Sequence, residues 1–598
     1  MLQAGVMEAS MNPQLFLDWI LWPFVEKQPM DASFSNYSVI LHDNAAIKTD
    51  YGAERSVYTV CMDILSIARG TGLLLLFLVV LVTVRYIYRR YTSPIAWAPV
   101  APADNLWISY FGLVPPPNEK ETHDQLSEFL IRVGQDPNQS PISVCWSIFG
   151  TPLVLVNTLK GFKDVLIDGQ MQNRKKGNGI PNVQRGNLIR LIQNHVFGGK
   201  NINNTIGEEW RWRRHVLLPP FQPRQLVPNL LPYVARRTEQ VLALFEKHAV
   251  QGTAVELDEV FQDMTMDVIN YYLYGRSDLN YNIVGGRTNL KKEHLRLGLG
   301  FQSIESWLPL GLNKTDWAQR SFQSSRTLLK HFIEDSLARA LKIYDPSSKT
   351  FHSVAAAAFA SGRYGEDRVD LVNDFLSLTF AGYDTTAHTL AFCFGELAQH
   401  PEVQEKLFQQ VRTVLGPPPV EPSSITAEKL AKMPYVTAVY REAMRKYPAV
   451  VFIPVHVNRD TVVDGVVVPG GAEIWCNVRG IQMNPAIFPD PERFDPSRWL
   501  KPDDHLSDTT FDTLSSNHVE HDHVSPSQQY NFPDLSFTLG QHSCLGKNLA
   551  TLELRTAIAC TINQFTCSLK EGAKIDTKVI LTTKPRYGVW VNFQKRVN

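Results

Sequence analysis

Hydrophobic positions along the chain recur mainly at helical spacing. Helical patterns cover residues 159–166, 233–274, 321–344 and 436–446, and the longest continuous apolar pattern covers 369–397. Strand-like runs lie at 143–156, around a Gly-Thr-Pro turn typical of a β-hairpin, and at 462–468 and 472–478, on either side of Pro-Gly-Gly. The pattern therefore predicts a mainly α protein with small β-sheets, an α+β fold.

Two stretches interrupt this pattern. The alanine run at residues 355–358, with its continuation rich in glycine and arginine, is predicted to form a loop. Residues 501–529 are polar and acidic, and they contain His505, His518, His521 and His523. Histidine clusters bind metal in some proteins, but the irregular spacing here favours a solvated insertion.

The first part of the chain contains one uncharged apolar run, Gly70 to Val84. At 1.5 Å per residue it covers about 22 Å, less than the roughly 30 Å of a hydrocarbon core. Arg69 and Arg85 at its ends can extend to the interface, and two tyrosines follow. We therefore predict a single transmembrane helix over residues 70–88, with a buried core helix as the alternative.

Arginines are more numerous after this run than before it, which predicts a cytoplasmic side for the rest of the chain. Residues 1–69 would then be a lumenal segment of unclear role, with a possible glycosylation site at Asn36. Within it, residues 15–25 could lie at a membrane surface or belong to a leader. Repeated prolines predict a stiff connector over residues 89–120, followed by a main domain over 121–598.

Net charge and cysteine content argue against several classes of function. The 598 residues include 59 Lys+Arg and 59 Asp+Glu, so charge gives no reason to expect nucleic acid as a partner. The 7 cysteines are odd in number and form no C-x-x-C pair, which argues against a disulfide framework or a zinc site. A reducing compartment fits the main domain best.

One of these cysteines, Cys544, lies in a loop between Gly540 and Gly546, just before the helical pattern at 547–565. Cysteine ligates metals as the thiolate, and a helix N-terminus helps to hold it ionised. The glycines allow close approach of a flat ligand, and Phe537 can shield the sulfur from water. The alternative for a lone cysteine is an ordinary buried residue in a loop.

The complete spacing, F-x-x-G-x-x-x-C-x-G, resembles the haem-binding loop of the cytochrome P450 family. The resemblance implies a cytochrome P450 fold in which Cys544 is the axial ligand of the iron of haem b. It also implies that Phe537, Gly540 and Gly546 surround the cofactor. His542 stands where many family members have arginine, and protonated histidine can still meet a haem propionate.

A second resemblance lies in the long apolar helix, where residues 381–386 read Ala-Gly-Tyr-Asp-Thr-Thr. Glycine and threonine inside a helix predict a local opening that makes room for a ligand or water, or else a kinked core helix. The stretch matches the family's oxygen-activation motif. This implies that Asp384 and Thr385 deliver protons during catalysis.

Two weaker motifs gain meaning from the same family. Trp210 and Arg214 are four residues apart on one helix face, and their donors suit a haem propionate, although a surface cation–π contact is the alternative. Glu442 and Arg445 form an E-x-x-R pair. The resemblance implies that Arg493 joins this pair in a buried structural network.

The resemblance implies a haem-dependent monooxygenase that inserts one oxygen atom from O2 into a small apolar organic substrate. The sequence shows no flavin or dinucleotide-binding domain, so NADPH–cytochrome P450 reductase is the expected electron source. Arg211 and Arg213 are predicted to face outward and to dock it. We expect an enzyme of the endoplasmic reticulum membrane with a cytosolic catalytic domain. The alternatives are an isomerase, dehydratase or peroxygenase of the same fold, or a non-catalytic haem-binding membrane protein.

Overall fold

A computed structural model describes residues 77–100, 124–135, 140–146, 151–171, 181–275, 290–301, 319–348, 351–501 and 532–596, with two short strands before them. The α-helices are α1 (77–92), α2 (Gln125–Gly134), α3 (Leu159–Lys163), α4 (Gly169–Met171), α5 (Asn187–Phe197), α6 (Gly207–Leu217), α7 (Pro223–Gln251), α8 (Leu257–Tyr274), α9 (Leu290–Leu299), α10 (Gln323–Ile343), α11 (Val354–Ser361), α12 (Val369–Gln399), α13 (Pro401–Leu415), α14 (Ala427–Ala431), α15 (Pro434–Lys446), α16 (Val478–Gln482) and α17 (Lys547–Gln564). A π-helical turn, Asp164–Asp168, joins α3 to α4, and 3-10 turns lie at Pro219–Phe221, Pro422–Ser424, Pro496–Trp499, Leu535–Phe537 and Gly540–His542.

The strands are short and form small sheets. They are β1 (Ile47–Lys48), β2 (Glu54–Arg55), β3 (Ile142–Trp146), β4 (Pro152–Val156), β5 (Val183–Arg185), β6 (Val255–Glu256), β7 (Ile453–Val457), β8 (Thr461–Val463), β9 (Val466–Val468), β10 (Glu473–Cys476), β11 (Phe565–Leu569), β12 (Thr577–Val579), β13 (Thr583–Pro585) and β14 (Trp590–Lys595). The largest sheet has the order β3-β4-β10-β7-β5, in which only β4 and β10 are parallel. The predicted mainly α fold with small sheets is confirmed.

The long helix α12 lies at the centre of the molecule. It is buried around most of its circumference, as expected of a helix that is apolar on all sides, and it packs most extensively against α8. Gly382 permits this contact, because a Cβ there would lie 2.7 Å from Ile269 Cγ1. The helix continues without interruption through residues 381–386, so the predicted local opening is not observed.

Three sequence-based boundaries need correction. The alanine run forms the helix α11 instead of a loop, because Ser353 caps its N-terminus, alanine has the highest helix propensity, and Gly362 ends it at φ +59°. The pattern at 233–274 spans the end of α7 and all of α8, which separate at Gly252, where φ is +63°. Residues 462–468 contain two strands, since Asp464 and Gly465 turn the chain with positive φ.

The apolar segment near the N-terminus is described only in part. Residues 77–92 form α1, whose large exposed side chains include Phe77, Val84 and Tyr88. Among the described residues, none of the helices combines the length and hydropathy that a membrane span requires. Residues 70–76, the predicted glycosylation site at Asn36, the connector beyond residue 100 and the histidines of the 501–529 insertion lie outside the described part.

Candidate active site

A cavity of about 460 Å³ lies between α12 and the loop that carries Cys544. Its wall is largely apolar and comes from α12, α8, the segments before β7 and β13, and the cysteine loop. The wall includes Ile269, Leu378, Ala381, Gly382, Thr385, Thr386, Thr389, residues 449–455, residues 535–538, residues 542–546, Leu549, Ala550 and residues 579–582. A cavity of this kind suits a flat hydrophobic cofactor or an apolar small molecule.

The cysteine loop is closed by its own backbone. The Cys544 N–H donates a hydrogen bond of 2.8 Å to the carbonyl oxygen of Phe537, and α17 begins three residues after the cysteine. Gly540 has φ +72°, and a Cβ there would overlap the carbonyl oxygen of Leu166. The glycine is therefore required both by its backbone conformation and by close packing against the turn that follows α3. Together these contacts direct the thiol into the cavity.

The surroundings of Cys544 can support a thiolate bound to a cation. Burial raises the pKa of the Cys544 thiol, whereas the backbone N–H groups of Gly546 and Lys547 and the charge of Arg214 lower it. Desolvation favours the neutral thiol, but a metal cation on the sulfur would favour the ionised form. The sulfur is exposed to the cavity, and the described chain places donors and positive charge beside it. The site therefore fits haem iron as the partner of this sulfur.

Two arginine side chains and a buried hydrogen-bond donor lie on one side of the cysteine loop. Arg214 donates to the carbonyl oxygen of Ser543 at 3.0 Å, and Arg185 Nε lies 3.2 Å from His542 Nδ1. The ring centroids of Trp210 and His542 are 4.0 Å apart. Trp210 Nε1 is buried and has no hydrogen-bond partner among the described residues. A buried N–H without an acceptor is costly, so this geometry fits an anion such as a haem propionate.

Arg185 belongs to this group but was missed by the sequence analysis. Burial and the charges of Arg214 and Arg190 lower the pKa of Arg185 to about 9. An anion bound nearby would raise this pKa again. Arg185 lies in the three-residue strand β5, where it pairs with Val455 of β7. Only this pairing of distant segments brings it to the cavity, so no local sequence signal could have identified it.

The two polar residues of the α12 motif face different ways. Thr385 lines the cavity, and its hydroxyl donates to the carbonyl oxygen of Ala381 at 3.0 Å. The Asp384 carboxylate contacts His388, with Oδ1 3.1 Å from Nε2, and accepts a hydrogen bond from the Thr582 hydroxyl. Burial opposes ionisation of Asp384, but the charge of His388 and these hydrogen bonds lower its pKa. Thr582 lines the cavity, so it links Asp384 to the cavity wall.

The E-x-x-R pair lies in a buried network, but the predicted third member is wrong. Arg445 makes two hydrogen bonds of 2.9 Å to the Glu442 carboxylate. Arg498 Nε lies 3.3 Å from Glu442 Oε1, and the Trp499 indole N–H donates to Oε2 at 2.9 Å. Arg493 has an exposed side chain and contributes only its backbone carbonyl, which Arg445 contacts at 3.3 Å.

The prediction that Arg213 faces outward is also wrong. The Arg213 side chain is 0% exposed and forms ion pairs with Asp370 at 2.6 Å and with Asp374 at 3.2 Å. Arg211, two residues earlier on α6, is exposed and pairs with Glu208 of the same helix. Two positions along a helix differ by about 200°, so one arginine enters the protein while the other remains at the surface.

The predicted site residues are largely brought together. Those that line the cavity are Arg214, Thr385, Phe537, His542, Cys544 and Gly546. Three others contact the wall from outside the lining: Trp210 through His542, Asp384 through Thr582, and Gly540 through a hydrogen bond from Ser543. The separate network of Glu442 and Arg445 fastens α15 to the segment that contains Trp499.

Comparison with known proteins gives one consistent result. The family model described as Cytochrome P450 matches residues 119–590. The chain is 24% identical over 421 residues to "Cytochrome P450 4X1" of Rattus norvegicus, covering 67% of this chain and 76% of that protein. It is 26% identical over 509 residues to "Cytochrome P450 monooxygenase ALT8" of Alternaria alternata, covering 75% and 82%.

Solved structures agree in fold. "Crystal structure of a Cytochrome P450 (CYP102L1)" has a TM-score of 0.63 at 16% identity and covers 79% of this chain and 98% of its own. "Retinoic acid bound cyanobacterial CYP120A1" has a TM-score of 0.57 at 21% identity, covering 76% and 92%.

Proposed function

Because this chain belongs to the cytochrome P450 family, and is therefore a haem-dependent monooxygenase, we propose that the Cys544 thiolate would hold the haem iron. One observation carries the proposal: Cys544 and the motif threonine Thr385 line the same apolar cavity. Thiolate-ligated haem, when bound, activates O2 so that one oxygen atom enters an organic substrate and the other leaves as water. The apolar wall supports a small apolar organic molecule as that substrate.

In this proposal the haem propionates are bound by four side chains, those of Trp210, Arg214, His542 and Arg185. The buried indole N–H and the positive charge around it supply the donors that two carboxylates need. Phe537, Gly540 and Gly546 shape the loop beside the cofactor, and Gly546 leaves space next to the Cys544 sulfur. Glu442, Arg445 and Arg498 stabilise the fold around it.

Asp384 and Thr385 move protons in this account. The Thr385 hydroxyl gives up a proton at the cavity wall, and a proton that passes through the Asp384 carboxyl group replaces it, so no net charge accumulates. Two contacts support the assignment: Thr385 faces the cavity, and Asp384 reaches the wall through Thr582. Removal of the Thr385 hydroxyl would interrupt this supply without changing the cavity shape substantially.

The proposal extends to the cellular setting. NADPH–cytochrome P450 reductase supplies the electrons, and exposed Arg211 is suited to contact an acidic flavoprotein. Residues 70–88 anchor the protein once in the endoplasmic reticulum membrane, with 1–69 lumenal and 121–598 cytosolic. The apolar run and the arginines after it support this arrangement. Residues 89–120 connect the two parts, and 501–529 form a polar insertion.

Oxygen labelling tests the proposed function. The purified enzyme would be supplied with the reductase, NADPH, ¹⁸O2 and a panel of apolar substrates. We expect one labelled oxygen atom in the product and, for Thr385→Ala, less product per NADPH and more peroxide. Thr379→Ala on the same helix, outside the cavity wall, is the matched control. Unlabelled product, or coupling in Thr385→Ala equal to that of the control, would contradict the proposal.

A further inference from the structure

Three ionisable side chains form a buried hydrogen-bonded network where α12 packs against α8. His388 Nδ1 lies 2.5 Å from Asp258 Oδ1, and His388 Nε2 lies 3.1 Å from Asp384 Oδ1. The imidazole is 1% exposed, and the two carboxylates are 12% and 14% exposed. Both ring nitrogens face carboxylate oxygens. With ionised carboxylates, both contacts are therefore hydrogen bonds only when both nitrogens carry protons.

The two carboxylates at the ends of this network make further contacts. Asp258 Oδ2 accepts a hydrogen bond of 2.7 Å from Gln262 Nε2 on the next turn of α8. Asp384 Oδ2 accepts a hydrogen bond from the Thr582 hydroxyl, and Thr582 lies in the cavity wall. The two oxygens of Asp384 thus have different partners. One meets the buried imidazole, and the other is directed towards the cavity.

We propose that His388 is a positioning residue which, anchored by Asp258, holds Asp384 in the orientation that presents Oδ2 to Thr582. The inference rests on the proposed role of Asp384 in proton delivery. Without His388 the Asp384 carboxylate is free to turn towards solvent, since it is already 14% exposed. Thr582 then loses its acceptor, and the link between Asp384 and the cavity wall is broken.

The charges around the network agree with this role. Among the described residues, the titratable groups that act on it are Glu256 at the N-terminal cap of α8, Asp258 from α8, Tyr383 and Asp384 from α12, His294 from α9 and Lys584 from β13. Burial disfavours the imidazolium, but the charges of Asp384 and Asp258 outweigh burial and raise the pKa of His388 to about 10. The two carboxylates therefore favour the imidazolium form of His388, and the charge of His388 in turn lowers the pKa of Asp384.

Substitution of His388 in the full-length, haem-loaded enzyme tests the proposal. His388→Gln removes the charge, His388→Lys restores it, and His400→Gln, at the C-terminal cap of the same helix, is the matched control. Protonation of Asp384 would be followed by infrared absorption of its carboxyl group, identified by its loss in Asp384→Asn. We expect His388→Gln to raise the pKa of Asp384 by about 1–3 units. Product formed per NADPH should fall, most strongly at acid pH, and His388→Lys should recover both values.

Two results in the His388 variants would overturn the proposal. One is product formed per NADPH that equals wild type at every pH in His388→Gln. The other is a loss of product per NADPH that is equal in His388→Gln and His388→Lys and independent of pH, with no change in the pKa of Asp384 measured by infrared absorption. If His388→Gln fails to fold, Asp258→Asn removes the anchor while keeping the imidazole, and wild-type coupling in it would refute the inference. Failure of the proposed function would give a different result: Thr385→Ala would form as much product per NADPH as the wild type. Uncoupled Thr385→Ala with coupled His388→Gln refutes the positioning role alone.

Discussion

Arg213 and Asp374 form an ion pair inside the protein, with Nε 3.2 Å from Oδ2 and neither side chain exposed. This contact joins α6, which carries Trp210 and Arg214, to α12. We predict that Arg213→Ala lowers the free energy of unfolding by about 3–5 kcal/mol, because it leaves a buried carboxylate without its charged partner. Arg211→Ala is the control and should change stability by less than about 0.5 kcal/mol. Urea denaturation followed by tryptophan fluorescence measures both, and equal effects would place Arg213 at the surface.

Haem retention tests the propionate site. Trp210→Phe keeps an aromatic ring against His542 but removes the buried N–H donor. Because the loss of one buried hydrogen bond costs about 1–3 kcal/mol, haem should dissociate about 5-fold to 150-fold faster. The measurement is the rate of haem transfer to an apo-globin acceptor. Trp212→Phe, on the same helix beside Tyr364, should transfer haem at the wild-type rate; equal rates in all three proteins would remove Trp210 from the site.

The corrected arginine network gives a paired test. Arg498→Ala removes a buried guanidinium from Glu442 and should lower stability by about 1–3 kcal/mol. Arg493→Ala alters only an exposed side chain, because its backbone carbonyl remains available to Arg445. It should therefore stay within about 0.5 kcal/mol of wild type. Urea denaturation of the two variants compares them directly, and a larger loss in Arg493→Ala would restore the original prediction.

Sequence alone predicted the parts of the site that lie within single segments. Cys544 with its glycines occupies one loop, and Asp384 and Thr385 lie on one helix, so the resemblance of these two motifs to those of the family was enough to select them. Arg185 and Thr582 reach the cavity only through tertiary packing, which local patterns do not encode.

A repeated pattern misled the assignment of the network arginine. Pro491-Glu492-Arg493-Phe494 and Pro496-Ser497-Arg498-Trp499 have the same proline–arginine–aromatic spacing, five residues apart. Folding buries the second copy, where a 3-10 turn places Trp499 and Arg498 against Glu442. The helices and sheets followed from periodicity, whereas their ends depended on caps and positive-φ turns such as Gly252 and Asp464.

The buried imidazolium predicts a pH-dependent contribution to stability. The pKa of His388 is raised from 6.5 to about 10 in the folded protein. Its stabilising effect is therefore fully present below the unfolded-state pKa of 6.5 and is lost as pH rises towards 10. The stability difference between wild type and His388→Gln should be greatest at acid pH and shrink through this range. Urea midpoints across the pH series measure it, and a difference that grows with pH would contradict the charged state of His388.

The central claim is that Cys544 binds the haem iron through its thiolate. The most direct measurement is the absorption spectrum of the reduced, carbon monoxide-bound protein, which reports thiolate ligation. Cys544→Ala and Cys544→His should lose the thiolate band, whereas Cys560→Ala, within α17 and away from the cavity wall, should keep it. A thiolate band that persists in the Cys544 variants, or disappears only in Cys560→Ala, would contradict the account.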